Sequence, residues 1–332
     1  MSNAKFRVLI ADDLSKKAME ILTANPEISV EVKVGLKGAE LAAAVKGAHA
    51  IAVRSATKIT AEVVEAADVL KIVGRAGAGV DTIDVPACSK KGVLVVNTPG
   101  GNSITTAEHA IFLLFSLVRH IPQATASVKA GKWEKKKFNG TEIFGKTLGV
   151  IGLGAIGRIV ADRALGMRMK VIACDPMIKK DSAPKHVTDL MAMGVELVSF
   201  EELIERAELI TVHAPLMPET KNLIGDAAFG KMKKGVFLVN CARGGIVDEA
   251  AAKRALDSGK LAGLALDVFV EEPPPADHPL LSDERVNCTP HIGASTTEAQ
   301  EKVAIDVAEQ IVAYLLRGEI GHAVNRDAVA KR

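Results

Sequence analysis

Short apolar runs alternate with longer segments whose apolar residues recur every three or four positions, and this alternation continues along the whole chain. Residues 6–11, 28–34, 50–53, 72–73 and 93–97 are rich in Val, Ile, Leu and Ala, and they predict strands buried on both faces, as in a parallel sheet. Residues 14–25, 38–46, 61–67 and 84–90 carry the helical spacing between them. Strand and helix in strict turn predict a doubly wound α/β unit of about 100 residues.

The pattern then breaks at Asn97-Thr98-Pro99-Gly100-Gly101-Asn102, a loop by its Pro and Gly content. Thr105-Thr106-Ala107-Glu108 reads as a capping box, which predicts one long apolar helix reaching about residue 129. Strand-like runs resume at 147–151, 170–174, 208–213, 236–240, 261–266 and 286–289, with helical segments between them. They predict a second doubly wound unit. Residues 296–316 form a last helix, ended by Arg317-Gly318. Periodicity leaves two arrangements open: two units in series, or a first unit completed by that final helix.

Composition narrows the class. A chain of 332 residues exceeds a comfortable single core, so two domains are expected. A net charge of +2 and 3% aromatics argue against a nucleic-acid partner, because basic footprint and stacking platforms are both lacking. The N-terminus has no apolar signal core, and the run 110–118 is about half a membrane span, so a cytoplasmic protein with no membrane partner is expected. Cys88, Cys174, Cys241 and Cys288 show no CxxC pair and no metal-like spacing; buried thiols and no metal site are expected.

The sharpest local signal is Gly152-Leu153-Gly154-Ala155-Ile156-Gly157, directly after the strand-like 147–151 and before the helical spacing of 159–167. GxGxxG alone is common, but between a strand and a helix it is a dinucleotide-binding turn. Gly152 permits the tight turn, Gly154 lets a pyrophosphate reach the backbone, and Gly157 lets the helix pack on the strand. The phosphates sit on N–H groups at the helix start, around Ala155 and Ile156. The next strand ends at Cys174-Asp175-Pro176. A carboxylate at Asp175 accepts hydrogen bonds from the ribose and repels a 2′-phosphate, so NAD is expected rather than NADP.

Three further residues follow predicted strand ends, where ligands bind in open α/β sheets. Arg243, in Asn240-Cys241-Ala242-Arg243-Gly244-Gly245, offers a guanidinium that holds a carboxylate bidentately, and its glycines let a ligand come close. Glu272 follows Asp267-Val268-Phe269, and His291 follows Thr289-Pro290. Hydride transfer from a carbinol needs a group to take the hydroxyl proton, which histidine does near neutral pH. A carboxylate beside it fixes the tautomer and stabilises the imidazolium. Taken singly, such an Arg is more often a surface ion-pair partner, and such a His more often a satisfied surface or core residue. Beside a dinucleotide loop the three together point to an oxidoreductase.

From Gly152 through His291 the chain resembles the D-isomer-specific 2-hydroxyacid dehydrogenases. The motifs are GLGAIG at 152–157, ACDP at 173–176, VHAPLMPET at 212–220, NCARGGIVDE at 240–249, ALDVFVEEPP at 265–274 and TPHIGAST at 289–296. The resemblance covers essentially the full chain. It implies that Arg243 orients substrate, Glu272 supports and His291 is the acid/base. It also implies Asp267 beside the nicotinamide carboxamide, His213, Ala214, Cys241 and Ala242 along NAD, and Gly293 near the site. The implied fold is a Rossmann NAD-binding domain, residues 99–290, inserted into a flavodoxin-like substrate domain made of 1–98 plus 291–332. Domain closure around substrate and a homodimer through the cofactor domains, or a homotetramer, are also implied.

Within that family the N-terminal unit is most similar to members acting on 3-phospho-D-glycerate. The segments are Val53-Arg54-Ser55-Ala56-Thr57-Lys58, residues 73–81, residues 97–103 including Asn102, and Gly131-Lys132-Trp133-Glu134-Lys135-Lys136-Lys137-Phe138. A phosphate needs cations, and Arg54 and Arg75 stand on loops after strands, with Ser55 and Asn102 as further candidate substrate contacts. Backbone N–H groups of Ala76-Gly77-Ala78-Gly79 are candidates to cradle the carboxylate. Lys135 stands where such members often carry an Arg that reaches a neighbouring subunit's substrate; it keeps the charge and loses the bidentate fork, and a solvated lysine run explains it equally. Many such members continue into a serine-binding regulatory domain, and a chain ending at Arg332 is expected to lack it. Two rivals remain. One is a glyoxylate/glycerate or D-lactate type of dehydrogenase, which does not need Arg54 and Arg75. The other is an NAD-sensing protein like the co-repressors, which needs no proton shuttle.

Overall fold

In a computed structural model, residues 4–330 are described; residues 1–3 and 331–332, the outer ends of the first predicted domain, lie outside them. The first elements are β1 (Phe6–Ile10), α1 (Lys16–Thr23), β2 (Ile28–Val32), α2 (Gly38–Ala44), β3 (Ala50–Val53), α3 (Ala61–Ala66), β4 (Ile72–Arg75), α4 (Val85–Lys91) and β5 (Leu94–Val96). There follow α5 (Ser103–Val118), α6 (Ile121–Lys129), β6 (Thr147–Ile151), α7 (Ala155–Gly166), β7 (Lys170–Cys174), α8 (Lys185–Ala192), β8 (Val195–Leu197), α9 (Phe200–Arg206) and β9 (Leu209–Val212). The chain closes with α10 (Asp226–Lys231), β10 (Val236–Asn240), α11 (Glu249–Asp257), β11 (Leu261–Leu266), β12 (Val286–Cys288), α12 (Thr297–Arg317) and α13 (Arg326–Ala330). Two compact units result. One holds the residues up to Asn102 with those from Ser295 on, the other Ser103–Ala294.

In the first unit the sheet runs β2-β1-β3-β4-β5, all parallel, the flavodoxin-like order. Alternation along each strand sends Phe6, Val8, Ile10, Ala50, Ala52, Ile72 and Leu94 to one face, and Leu9, Ile51, Val53, Val73 and Val95 to the other. The second face is covered by α2, α3 and α4. The first is covered by α1 and by Val303, Val307 and Ile311 of α12. Gly74 permits that approach, since a Cβ there would lie 2.6 Å from Val307 and 2.8 Å from Ile311.

In the second unit seven parallel strands run β12-β11-β10-β9-β6-β7-β8. Counted from β6 this is the Rossmann order with one strand added at its edge. The chain leaves β6 in one direction through β7 and β8, then returns to β9 on the other side. The switch point between β6 and β9 therefore opens a crevice at their carboxyl ends, which is where ligands bind in such sheets.

Three local readings change. β8 is a short edge strand, Val-Glu-Leu, too brief for its periodicity to register. The single helix predicted to residue 129 is two, bent by 63°. α5 stops at Val118, His120 takes the left-handed φ of 53°, and Pro122 opens α6, a position where the missing N–H does no harm. The Val118 carbonyl that this break frees accepts the Thr141 N–H. The capping box also falls inside the helix: α5 begins at Ser103, and Thr106 is buried. Of the cysteines, Cys88, Cys174 and Cys241 are buried and Cys288 is exposed. No single helix among the described residues is long and apolar enough to cross a membrane.

Candidate active site

At the switch point the glycine loop is built as its spacing requires. Gly152 has φ 91°, and a Cβ there would meet His213 O at the end of β9. A Cβ on Gly157 would overlap Gly152 O, so α7 sits directly on the loop. Gly154 has nothing near its Cβ position and is exposed, as is Ala155; Ile156 is half-buried. α7 starts there with no side-chain cap, so its first N–H groups and its positive dipole end are left for an anion. Asp175, beside exposed Pro176, accepts Leu153 N–H on Oδ2 at 2.9 Å and Met177 N–H on Oδ1 at 3.0 Å. It thereby ties the loop to the end of β7, and each oxygen retains capacity for a ribose hydroxyl. This geometry fits a dinucleotide. His213, beside Ala214, is held by Thr211 Oγ1 at 2.9 Å, and burial pushes its pKa down to about 4, so its ring is neutral.

The three candidate catalytic residues are linked by contacts within this unit. Asn240, at the end of β10, accepts Ala242 N–H on Oδ1 and donates to Arg243 O, which shapes the turn carrying Arg243 just after buried Cys241. The next residue, Gly244, packs against the Phe269 carbonyl so closely that a Cβ would overlap it. Gly244 is thus required for loop packing rather than for ligand approach. Phe269 N–H in turn donates to Glu272 Oε1 at 3.1 Å, and His291 Nδ1 lies 2.7 Å from Glu272 Oε2. With Nδ1–H donating to the carboxylate, Nε2 is the nitrogen left to exchange a proton with a ligand.

His291 has φ 52°, a left-handed conformation costing about 1–2 kcal/mol for a residue with a Cβ. The turn is held from below by Asp267, 1% exposed at the end of β11. Its Oδ1 accepts Thr289 Oγ1–H at 2.6 Å and Ile292 N–H at 2.8 Å, and its Oδ2 accepts Gly293 N–H at 2.8 Å. His109 Nε2, from α5, adds a contact to Oδ1 at 3.3 Å. Burial alone raises the Asp267 pKa, but these donors outweigh it and hold the carboxyl below its usual value. His109 escapes a reading of the sequence because its partner lies 158 residues away, whereas Asn240 stands in the quoted motif and only its residue type fails to mark it as shaping the turn.

In the first unit the candidate substrate residues lie on two loops, each organised by a buried side chain. Asp12, 4% exposed, accepts Arg54 N–H at 2.5 Å, Thr57 N–H at 3.2 Å and Thr57 Oγ1–H at 2.9 Å, so the loop 54–57 with exposed Ser55 is fixed after β3. Arg75 ends β4, its guanidinium lying over Gly77, whose φ of 147° favours glycine. Gly77 N–H donates to buried Thr98 Oγ1 at 2.8 Å, and Ala76 N–H donates to Val53 O. Those two N–H groups of the four-residue run are therefore engaged within the protein. Asn102 is half-buried at the end of this unit, and Lys135 is exposed on a 3-10 turn, Lys135–Phe138, of the other.

Residues 111–293 match the family described as D-isomer specific 2-hydroxyacid dehydrogenase, NAD binding domain. The chain belongs to that family. NAD is its cofactor, and the second unit carries the matched domain. A D-3-phosphoglycerate dehydrogenase of Archaeoglobus fulgidus is 50% identical over 97% of this chain and 60% of that protein. The corresponding protein of Rattus norvegicus is 47% identical over 97% of this chain and 59% of its own length. The chain thus spans about three fifths of these relatives. Among solved structures, the TT0316 protein of Thermus thermophilus is similar with TM-score 0.86 and 34% identity, covering 96% of this chain and all of that one. A D-lactate dehydrogenase of Aquifex aeolicus, complexed with NAD and lactic acid, has TM-score 0.82 and 28% identity over 96% and 99% of the two chains.

Proposed function

We propose that this chain oxidises 3-phospho-D-glycerate to 3-phosphohydroxypyruvate with NAD, the entry step of the phosphorylated route to serine. The observation that carries the reaction class is the His291–Glu272 pair, joined through Phe269 and Gly244 to the Arg243 turn. Arg243 holds the substrate carboxylate and C2 oxygen. His291 Nε2 takes the hydroxyl proton while the C2–H bond breaks and its electron pair leaves as hydride, so that C2 becomes the carbonyl. Glu272 stabilises the resulting imidazolium. NAD, bound on the glycine loop and Asp175, supplies the hydride acceptor.

The phosphate is assigned to Arg54 and Arg75 of the first unit. Support comes from the names of the relatives near 50% identity, against 28% for the lactate enzyme. The test is NADH formation with a panel of 3-phosphoglycerate, glycerate and lactate enantiomers. We expect kcat/KM to favour 3-phospho-D-glycerate at least tenfold, and Arg54→Ala or Arg75→Ala to erase that preference mainly through KM. A preference for glycerate over its phosphate overturns the substrate and leaves the reaction class standing.

We assign the protein to the cytoplasm, in keeping with its three buried thiols, and to a homodimer formed by the second unit. In support, that unit exposes the large apolar side chains of Phe112 (66%), Trp133 (84%), Phe144, Ile104, Ile121 and Val128. Light scattering should give twice the chain mass, and Trp133→Glu should lower it to one; a monomeric wild type removes the assignment.

A further inference from the structure

One carboxylate outside the reacting set holds the segment that carries Glu272. Glu249 opens α11, six residues after Arg243 on the same stretch of chain. Its Oε1 accepts the Val270 N–H at 2.8 Å, and its Oε2 lies 3.0 Å from His278 Nε2. His278 Nδ1 accepts the Leu280 N–H, so the ring proton sits on Nε2 and donates to Glu249. This ring stands nearly perpendicular to that of Phe269, their centroids 5.9 Å apart, and Leu280 is buried in the core. Both side chains are about five-sixths buried, at 16% exposure for Glu249 and 15% for His278, where a hydrogen-bonded carboxylate is screened far less than on open surface.

The consequence lies in two adjacent amides. Phe269 N–H donates to Glu272, and the next one, Val270 N–H, donates to Glu249. The two amides belong to consecutive peptide units joined at the Phe269 Cα, so freeing the Val270 N–H loosens the Phe269–Val270 peptide and, through that Cα, its neighbour, whose N–H holds Glu272. Gly244 bears on the same peptide from the Arg243 side. Glu272 therefore stands between anchors at 270 and 278 that are both made by one side chain.

We propose that Glu249 is a positioning residue for the reaction: by tying residues 270 and 278 to the stretch that carries Arg243, it keeps the Glu272 carboxylate on His291 and in register with Arg243. The proposal rests on the roles given above to Arg243, Glu272 and His291. Both Glu249 oxygens are engaged by the segment, so it acts through Glu272 and not on substrate.

The test uses Glu249→Ala and Glu249→Gln in the full chain, with His278→Phe as a milder variant that keeps the ring contact should Glu249→Ala fail to fold. Amide exchange of the 268–280 peptide, kcat, KM and NADH affinity are measured on each. Glu249→Ala should speed exchange in that peptide and lower kcat about 10–100-fold with NADH affinity unchanged, since misplacing a reacting group by an ångström costs on the order of 100-fold. Glutamine still accepts from Val270 but cannot accept from His278, so it should restore part of kcat. Unchanged exchange overturns the clamp whatever the activity does, and faster exchange at wild-type kcat overturns the positioning role. A wild-type protein that turns over no 2-hydroxy acid overturns the functional reading and this proposal with it, an outcome visible without any variant.

Discussion

Replacing His291 with alanine is expected to lower turnover by about 10²–10⁴-fold while NADH binding persists. The imidazole stands with Nδ1 on Glu272 and Nε2 left for substrate, whereas the glycine loop and Asp175 are reached from β6 and β7. Loss of proton transfer therefore raises the barrier by about 2.7–5.4 kcal/mol without touching the surface that binds the dinucleotide. Steady-state kinetics in both directions, with NADH titrated by fluorescence, checks this. Turnover within about threefold of wild type would remove His291 from the chemistry, and Nε2 would need another role.

The second large effect falls on stability. Asp267→Ala removes one buried carboxylate, strands two backbone N–H groups, and leaves Thr289 Oγ1 and His109 Nε2 only their contact with each other. Removing one partner of a buried charged network costs about 3–5 kcal/mol. At roughly 2–4 °C per kcal/mol for a unit of this size, melting of the second unit should fall by about 6–20 °C. The pH dependence has a definite sign. The Asp267 carboxyl is held below its unfolded value, so its contribution is fully present above the unfolded pKa and is lost as pH falls through the folded one. Calorimetry of the variant against wild type, across the acid range, should show the two curves converging as pH drops. Parallel curves, or a shift of less than about 2 °C, would mean that other contacts hold the 289–293 turn.

The distribution of these effects follows what the sequence carries and what it does not. Buried parallel strands are continuous apolar runs, and the GLGAIG turn is local, so β6, α7 and Asp175 are readable from adjacent residues. Arg243, Glu272 and His291 are nameable because each follows a strand end within a distinct motif. The groups that aim them are not. Asp12 meets Arg54 across 42 residues, His109 meets Asp267 across 158, and Glu249 meets His278 across 29; such pairings are set by topology and leave no periodic trace. The break at His120 is similar: Pro122 is plain in the sequence, but proline opens a helix as readily as it ends one, and only the packed chain shows which.

The order of synthesis leaves the first unit's sheet bare for a time. The face made by Ile72, Leu94 and Val96 is closed by Val303, Val307 and Ile311, more than 200 residues later in the chain. At translation speeds of about 5–20 residues per second, that face leaves the ribosome uncovered for roughly 10–40 s before α12 arrives. The intervening unit meanwhile has all its own strands and can fold first. A nascent chain arrested near residue 290 is therefore a natural client for a chaperone that grips apolar sheet surface, and release from it should coincide with the emergence of residues 297–317.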